Sequence, residues 1–263
     1  MEFYKYHGTG NDFILIDNRQ NKFDVKDVKK IKLLCDRHFG IGADGLILLE
    51  NSPKADCFMN YYNSDGTLAE MCGNGVRCTA KFFLELTKSQ KNKVKEIKID
   101  TKAGIKKVMV NKDGSFSVNM GIPVFSHSDF PESSLTWEGV EFKFVSMGNP
   151  HAVGIVKNLS EIDISDIGPK IENHPIFPNK INVEIVEKIN DDNFNVKVWE
   201  RGSGATLACG TGACAVYACV RQGLTQKEVV LEFPGGKLYL SENKEGEIIL
   251  RGPAAFVFKG EIK

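Results

Sequence analysis

The stretch at residues 71–86, "MCGNGVRCTAKFFLEL", decides how the chain is read. A cysteine, Cys72, stands directly before a glycine-rich turn, and the run after that turn has the composition of a helix. The layout recurs at 208–220, "ACGTGACAVYACV", where Cys209 takes the place of Cys72. The run "GACAVYACV" carries no charged residue, and "VRCTAKFFLEL" carries few. A helix that is apolar on every face is buried. The chain is thus expected to hold two buried helices, each with a thiol at its mouth.

The cysteines are 137 residues apart, about half the chain, which suggests an internal repeat. Other matches keep that spacing. "GND" at 10–12 and "GNP" at 148–150 are 138 apart. Asn63, after "DCFMNYY", and Glu200, after "FNVKVW", each lie nine residues before a cysteine. Gly45, before "LILL", falls opposite Asn182, before "VEIV". Chance recurrence of glycine and asparagine is the alternative, but the shared order and single-residue drift favour two homologous halves.

Short runs rich in β-branched and aromatic residues fill the rest, from "FILID" and "GLILLE" to "EIILR" and "AFVF", with Gly, Asn or Asp turns between them. "DVKKIKLLCDRHFG" reads as an amphipathic helix closing on Gly40. The expected fold is α+β, with two pseudo-symmetric halves. Each half is a mixed, barrel-like sheet wrapped around a central α-helix. The active site is expected in the cleft between them. The halves are placed at 1–115, joined by the C-terminal tail 252–263, and at 116–251.

Composition narrows the function. The 263 residues are 42% hydrophobic, and 34 Lys and Arg balance 34 Asp and Glu, so no bulk charge points to nucleic acid or to a membrane surface. The opening "MEFYKYHGTGNDF" lacks a basic segment followed by an apolar core, so no signal peptide is expected. No apolar run is long enough to span a bilayer. Seven scattered cysteines do not form a small disulfide scaffold and suit a reducing cytoplasm. No zinc knuckle, P-loop or dinucleotide fingerprint is present, so neither a metal nor a cofactor is expected.

A helix N-terminus has unpaired N–H groups and partial positive charge, which suits an anion. The same field stabilises a thiolate, so depressed pKa values are expected for Cys72 and Cys209. With a substrate Cα between two thiols, one removes a proton while the other delivers one to the opposite face. Cys35, Cys57, Cys78, Cys214 and Cys219 read as small buried hydrophobes. His151, after the "GNP" turn, is either a solvated loop histidine or functional. Glu200 and Arg201 form either a surface ion pair or part of the cleft, which their place at a strand end favours. Asn63, Asn149 and Asn182 are open between turn and site roles.

Taken together, "GTGNDF", "GIGADG", "NSDGTLAEMCGNGVRC", "MGNPH", "NVEIV" and "ERGSGATLACGTGA" resemble the diaminopimelate epimerase family from residue 3 to about 258. The resemblance implies a pyridoxal-independent epimerase. It would interconvert LL- and meso-2,6-diaminoheptanedioate on the route to lysine and peptidoglycan, as a cytoplasmic homodimer. It implies Cys72 and Cys209 as the acid–base pair, with Cys209 the acceptor and Cys72 the donor in the LL-to-meso direction. Gly73, Asn74, Gly210 and Thr211 would hold the reacting carboxylate. Asn11, Asn63, Asn149, Asn182, Glu200 and Arg201 would line the rest of the substrate site, and His151 and Glu200 would assist the thiols. Two departures stand out. Gly45 replaces a glutamine found in some members, and Phe258 replaces a tyrosine found in some at the dimer contact.

Three other readings compete. A racemase for another amino acid on the same scaffold would leave Arg201 without a distal carboxylate to bind. A thiol redox sensor would not explain the asparagines and paired glycine loops. A phenazine-pathway type of isomerase shares the fold in outline and needs no cysteine pair.

Overall fold

The computed structural model describes residues 1–69, 71–87, 94–128, 130–131, 134–222 and 227–262. In chain order the first elements are β1 (Glu2–Gly8), β2 (Asn11–Asp17), α1 (Val28–Cys35), β3 (Gly45–Glu50) and β4 (Cys57–Asn63). Next come β5 (Leu68–Ala69), α2 (Gly73–Leu86), β6 (Glu96–Asp100), β7 (Lys106–Val110) and β8 (Phe116–Gly121). They are followed by β9 (Leu135–Trp137), β10 (Val140–Ser146), β11 (Pro150–Val156), α3 (Ile164–Glu172), β12 (Asn182–Lys188) and β13 (Asn193–Glu200). The last are β14 (Gly204–Thr206), α4 (Gly210–Val220), β15 (Glu228–Phe233), β16 (Gly236–Glu242), β17 (Ile248–Gly252) and β18 (Ala255–Glu261). The fold is mixed α+β, with few helices. The chain divides into two compact units, Met1–Val118 with Gly252–Lys263, and Asn119–Arg251.

In the first unit β1 pairs antiparallel with β2 and with β18. Strand β2 runs parallel to β3, β3 antiparallel to β4, and β4 antiparallel to β5 and parallel to β6. Antiparallel β6–β7 and β7–β8 pairs complete the order. A parallel pair needs a crossover. The β2–β3 crossover carries α1 and the β4–β6 crossover carries α2.

The second unit repeats this order. Strand β10 pairs antiparallel with β9 and β11, β11 runs parallel to β12, and β12 antiparallel to β13. Strand β13 pairs antiparallel with β14 and parallel with β15, followed by antiparallel β15–β16 and β16–β17 pairs. The crossovers carry α3 and α4. Register repeats as well. Tyr61 faces Ala69, and Val198 faces Thr206, both shifted by 137. Beyond the buried helices the shift is 132, as Val108–Val118 and Leu240–Leu250 show.

Each buried helix is sheathed by strands of its own unit. Helix α2 packs on β1, β2, β3, β4, β6 and β7, and α4 packs on β10, β11, β12 and β16. Phe13 and Ile47 line the α2 side of the sheet at Gly75. Ile14, Ile16, Leu46 and Leu48 lie on the other face with Ile31 and Leu34 of α1. Burial on both faces explains why "GLILL" is continuously apolar rather than alternating.

Two local expectations need correction. Helix α1 ends at Cys35, not at Gly40, because Asp36 turns extended (φ −64°, ψ 127°) and its carboxylate takes the N–H groups of His38 and Phe39. The returning chain leaves no room for a side chain at Gly40, where a Cβ would lie 1.8 Å from the Leu33 carbonyl oxygen. Helix α3 is hidden in sequence by Gly168 and Pro169. Trp199 packs on Gly168, where a Cβ would be 2.5 Å from its ring, and tertiary packing overrides the poor propensity.

Candidate active site

Cys72 and Cys209 are the N-cap residues of α2 and α4, each with extended backbone (φ −141°, ψ 123° and φ −118°, ψ 125°). The residues predicted around them fall into two groups, one in each unit.

In the first unit, a two-residue turn at Thr9 and Gly10, both at positive φ, starts β2 at Asn11. The Asn11 amide donates to Asp44 Oδ2 at 2.7 Å. Its oxygen therefore faces α2, where it accepts from the Cys72 thiol at 3.6 Å and from Asn74 Nδ2 at 3.2 Å. Asp44 is held by Arg37 (2.7 Å), which also binds Asp12 (2.7 Å), and Asp12 binds the buried Lys5 at 2.6 Å. Burial works against the Asp12 carboxylate, but Arg37 and Lys5 outweigh it and bring the pKa down to about 2. Asn63 ends β4 opposite Gly45, and its amide donates to Thr67 in the next turn. That bond serves the turn.

In the second unit a chain of polar contacts leads to Cys209. Glu184 Oε1 lies 2.8 Å from His151 Nδ1, and His151 Nε2 lies 3.0 Å from Asn149 Oδ1. Asn149 Nδ2 donates to Thr211 Oγ1 at 3.4 Å, and that hydroxyl lies 3.4 Å from Cys209 Sγ. The Gly212 N–H donates to the same sulfur at 3.4 Å. His151 is fully buried, so it is not a solvated loop histidine. Asn182 donates to the Pro150 carbonyl and accepts from the Arg201 N–H, which ties the ends of β11, β12 and β13 together. Glu200 and Arg201 make separate contacts: Glu200 accepts from Thr206 Oγ1 at 2.6 Å, and the exposed Arg201 donates to the Asn179 carbonyl.

The expected depression of the Cys209 pKa is not found. Burial, then the carboxylates of Glu200 and Glu184, push this thiol well above its ordinary value. The Thr211 hydroxyl and the Gly212 N–H act against them without prevailing. Burial likewise raises the Glu200 carboxyl, against bonds from Thr206 and Cys209. Burial pushes Cys35 up to about 11 and Cys57, Cys78 and Cys219 up to about 12, as expected of cysteines that only pack. Among the described residues no cluster of His, Cys, Asp or Glu is arranged to hold a metal ion.

The sequence profile for diaminopimelate epimerase matches residues 3–126 and 143–257. The chain belongs to the diaminopimelate epimerase family. The diaminopimelate epimerase of Carboxydothermus hydrogenoformans is 45% identical, the match covering 99% of each chain. That of Nostoc punctiforme is 41% identical over 100% of this chain and 99% of the relative. Among solved structures, a Bacillus anthracis phenazine biosynthesis protein of the PhzF family matches with a TM-score of 0.75, at 19% identity, over 100% of this chain and 99% of that one. A hydroxyproline epimerase from Agrobacterium vitis matches with a TM-score of 0.69, at 16% identity, over 100% and 90%. These two share the fold with the diaminopimelate epimerase family.

Sequence reasoning passed over three residues that this geometry brings forward. Arg77, fully buried in α2, donates to Asn74 Oδ1 (2.9 Å), Thr9 Oγ1 (3.2 Å) and the carbonyls of Gly73 and Pro253. It thereby holds the strained Thr9 turn, the head of α2 and the entry to β18. Asp44 orients Asn11. Glu184 orients His151. Arg77 and Glu184 were visible as charges inside otherwise apolar runs, "GVRCTA" and "NVEIV".

Proposed function

We propose that this chain is a cofactor-independent epimerase that interconverts LL- and meso-2,6-diaminoheptanedioate by moving a proton at Cα. The observation that carries the reading is the duplicated thiol at the head of a buried helix, in a chain that matches diaminopimelate epimerases end to end. Cys72 and Cys209 act on opposite faces of one α-carbon, one as acid and one as base.

Their surroundings support different starting states. The Cys72 thiol donates to an amide oxygen that Asp44 holds in place, which favours a sulfur keeping its proton. The Cys209 sulfur accepts from Gly212 N–H, which suits a sulfur that gives its proton up. Glu200, whose carboxyl is raised by burial against hydrogen bonds from Thr206 and Cys209, stands beside the thiol as it transfers its proton, and Cys209 acts as the base. Cys72 then protonates the carbanion from the other side. First-turn N–H groups at Gly73 and Asn74, and at Gly210 and Thr211, stabilise the charge that builds on the carboxylate. Arg201, with Asn63 and Asn182, receives the distal carboxylate through the guanidinium fork.

The product serves lysine and peptidoglycan synthesis in the cytoplasm, and the enzyme works as a homodimer. Exposed Phe256, Val257 and Phe258 on β18 support an apolar contact between copies. Incubation of the purified protein with LL-diaminopimelate in D₂O tests the reading. Meso product carrying deuterium at Cα is expected with no cofactor added. An unchanged stereoisomer ratio without α-deuterium rejects it.

A further inference from the structure

The end of α3 holds an acid where a helix does not favour one. Glu172 is its last residue and only 5% exposed. A helix C-terminus carries partial negative charge, and burial strips a polar side chain of water. The first unit manages without such an acid. Its equivalent crossover helix, α1, ends at the buried Cys35, 137 residues earlier, and 137 is the shift that the strand pairs keep. The reason for Glu172 therefore lies in what it touches. Its Oε2 accepts from Trp199 Nε1 at 2.7 Å, and its Oε1 accepts from the Gly202 N–H at 3.0 Å. An indole N–H and a peptide N–H can only donate, so both oxygens accept whatever proton the carboxyl carries. Trp199 by itself would need only one of them.

The second oxygen serves a turn. Between β13 and β14 the Ser203 N–H donates to the Glu200 carbonyl at 3.0 Å, as the Gly66 N–H donates to the Asn63 carbonyl at 2.9 Å in the first unit. Asp65 braces the first turn from within, accepting from the Thr67 N–H at 2.8 Å and from its hydroxyl at 2.6 Å. Gly202 stands in the place of Asp65 and has no side chain to do this. Its φ of +77° is the value that the third residue of a type II turn needs. The closing bond does not use the two peptide N–H groups that flank the Arg201 Cα. That of Arg201 donates to Asn182 Oδ1 at 2.9 Å, and that of Gly202 donates to Glu172. Two peptide planes that meet at one Cα set the direction of its side chain. The Arg201 guanidinium rests on the Asn179 carbonyl at 3.0 Å, and Lys180, next in the chain, lies 3.5 Å from Glu172 Oε1.

We propose that Glu172 is a positioning residue for Arg201. It holds the peptide after Arg201 as Asn182 holds the one before, and so aims the guanidinium fork that receives the distal carboxylate of the substrate. This rests on the epimerase reading.

Glu172→Met keeps the length of the side chain and removes both acceptors. Hydrogen exchange followed by NMR without substrate tests the brace. The Gly202 N–H should be protected in the wild type and should exchange about tenfold or more faster in the variant. The variant's kcat/KM for diaminopimelate should fall about tenfold or more, mostly through KM, because binding is lost and not chemistry. In an Arg201→Ala background the same change should cost less than about twofold, because Glu172 acts through Arg201. Equal losses in the two backgrounds overturn the proposal, as does an unprotected Gly202 N–H in the wild type. A lower urea midpoint with kcat/KM unchanged also overturns it and leaves Glu172 a structural partner of Trp199. If Glu172→Met fails to fold, Glu172→Gln takes its place. Its one oxygen serves either Trp199 or Gly202, and kcat/KM should fall only if the Gly202 N–H is the one released. Release without loss, or loss without release, overturns the proposal. If the wild type itself leaves the α-proton of diaminopimelate unexchanged, the epimerase reading fails, and exchange at Gly202 still reports on the brace.

Discussion

Cys72 and Cys209 occupy equivalent backbone positions, yet one faces an amide oxygen and the other lies near two carboxylates. Sequence could show the equivalence, because a thiol before glycine at a helix start is a local pattern. It could not show the difference, because Asp44, Glu184 and Glu200 arrive from distant strands. The field at Cys209 was misjudged for the same reason: a helix terminus is written in the sequence, and desolvation is not. Replacing either Cys72 or Cys209 by Ala is expected to cut α-proton exchange by about a hundredfold or more, since an acid–base group is worth roughly 10²–10⁴. Retained exchange in either variant, followed by deuterium uptake into diaminopimelate, removes that thiol from the chemistry. The electrostatic account of Cys209 has its own check. Glu200→Gln removes a negative neighbour that raises this thiol, so its pKa should fall and more thiolate should be present at neutral pH. Iodoacetamide labelling of Cys209, followed by mass spectrometry, should then run faster than in the wild type. An unchanged or slower rate means that burial alone sets this thiol.

At the scale of elements, apolar runs announced their strands well, because strands buried on both faces need continuous Ile, Leu and Val. The elements that escaped were those whose reason lies elsewhere in the chain: the short β5, β9 and β14, and α3 with its Gly-Pro pair supported by Trp199. Strand β1 escaped because its polar Lys5 is buried against Asp12 and so breaks the apolar pattern. That ion pair has a pH signature. Because Asp12 is held down at about 2, it stabilises the fold above the ordinary carboxylate range, and the contribution is lost as pH falls through about 2. Asp12→Asn should therefore unfold about 2 kcal/mol more easily than the wild type at pH 7, a gap that closes in strong acid. Urea unfolding at several pH values measures it, and a pH-independent gap would trace the loss to packing. The two helix heads offer a second comparison. Gly75→Ala meets only a methyl that can give by a few tenths of an ångström, whereas Gly212→Ala meets the Glu184 carboxylate at 2.4 Å. Overpacking typically costs about 1–3 kcal/mol, so Gly212→Ala should be the more destabilising and should also lower activity. Equal melting temperatures for the two variants would show that the carboxylate yields freely.

For the whole molecule, the repeat was legible because duplication preserves spacing, and strand register now shows it pair by pair on both sides of the buried helix. What the halves do differently was not legible, since Phe13 against His151, and Ile47 against Glu184, look like ordinary divergence until their shared register places them together. The difference invites an exchange. The variant His151→Phe/Glu184→Ile gives the second unit the apolar pair that the first already buries. Asn149, only partly buried, can turn to water when it loses the ring. Replacing a buried polar pair by apolar residues, which removes its desolvation cost, is often neutral or stabilising by about 1–4 kcal/mol, so the variant should resist urea at least as well as the wild type. Its epimerase activity should be gone, because neither the ring nor the carboxylate remains to orient Asn149 at the head of α4. A variant destabilised by more than about 2 kcal/mol would assign the pair to the stability of the second unit. A stable variant that still exchanges the α-proton would leave Cys209 working without His151 or Glu184.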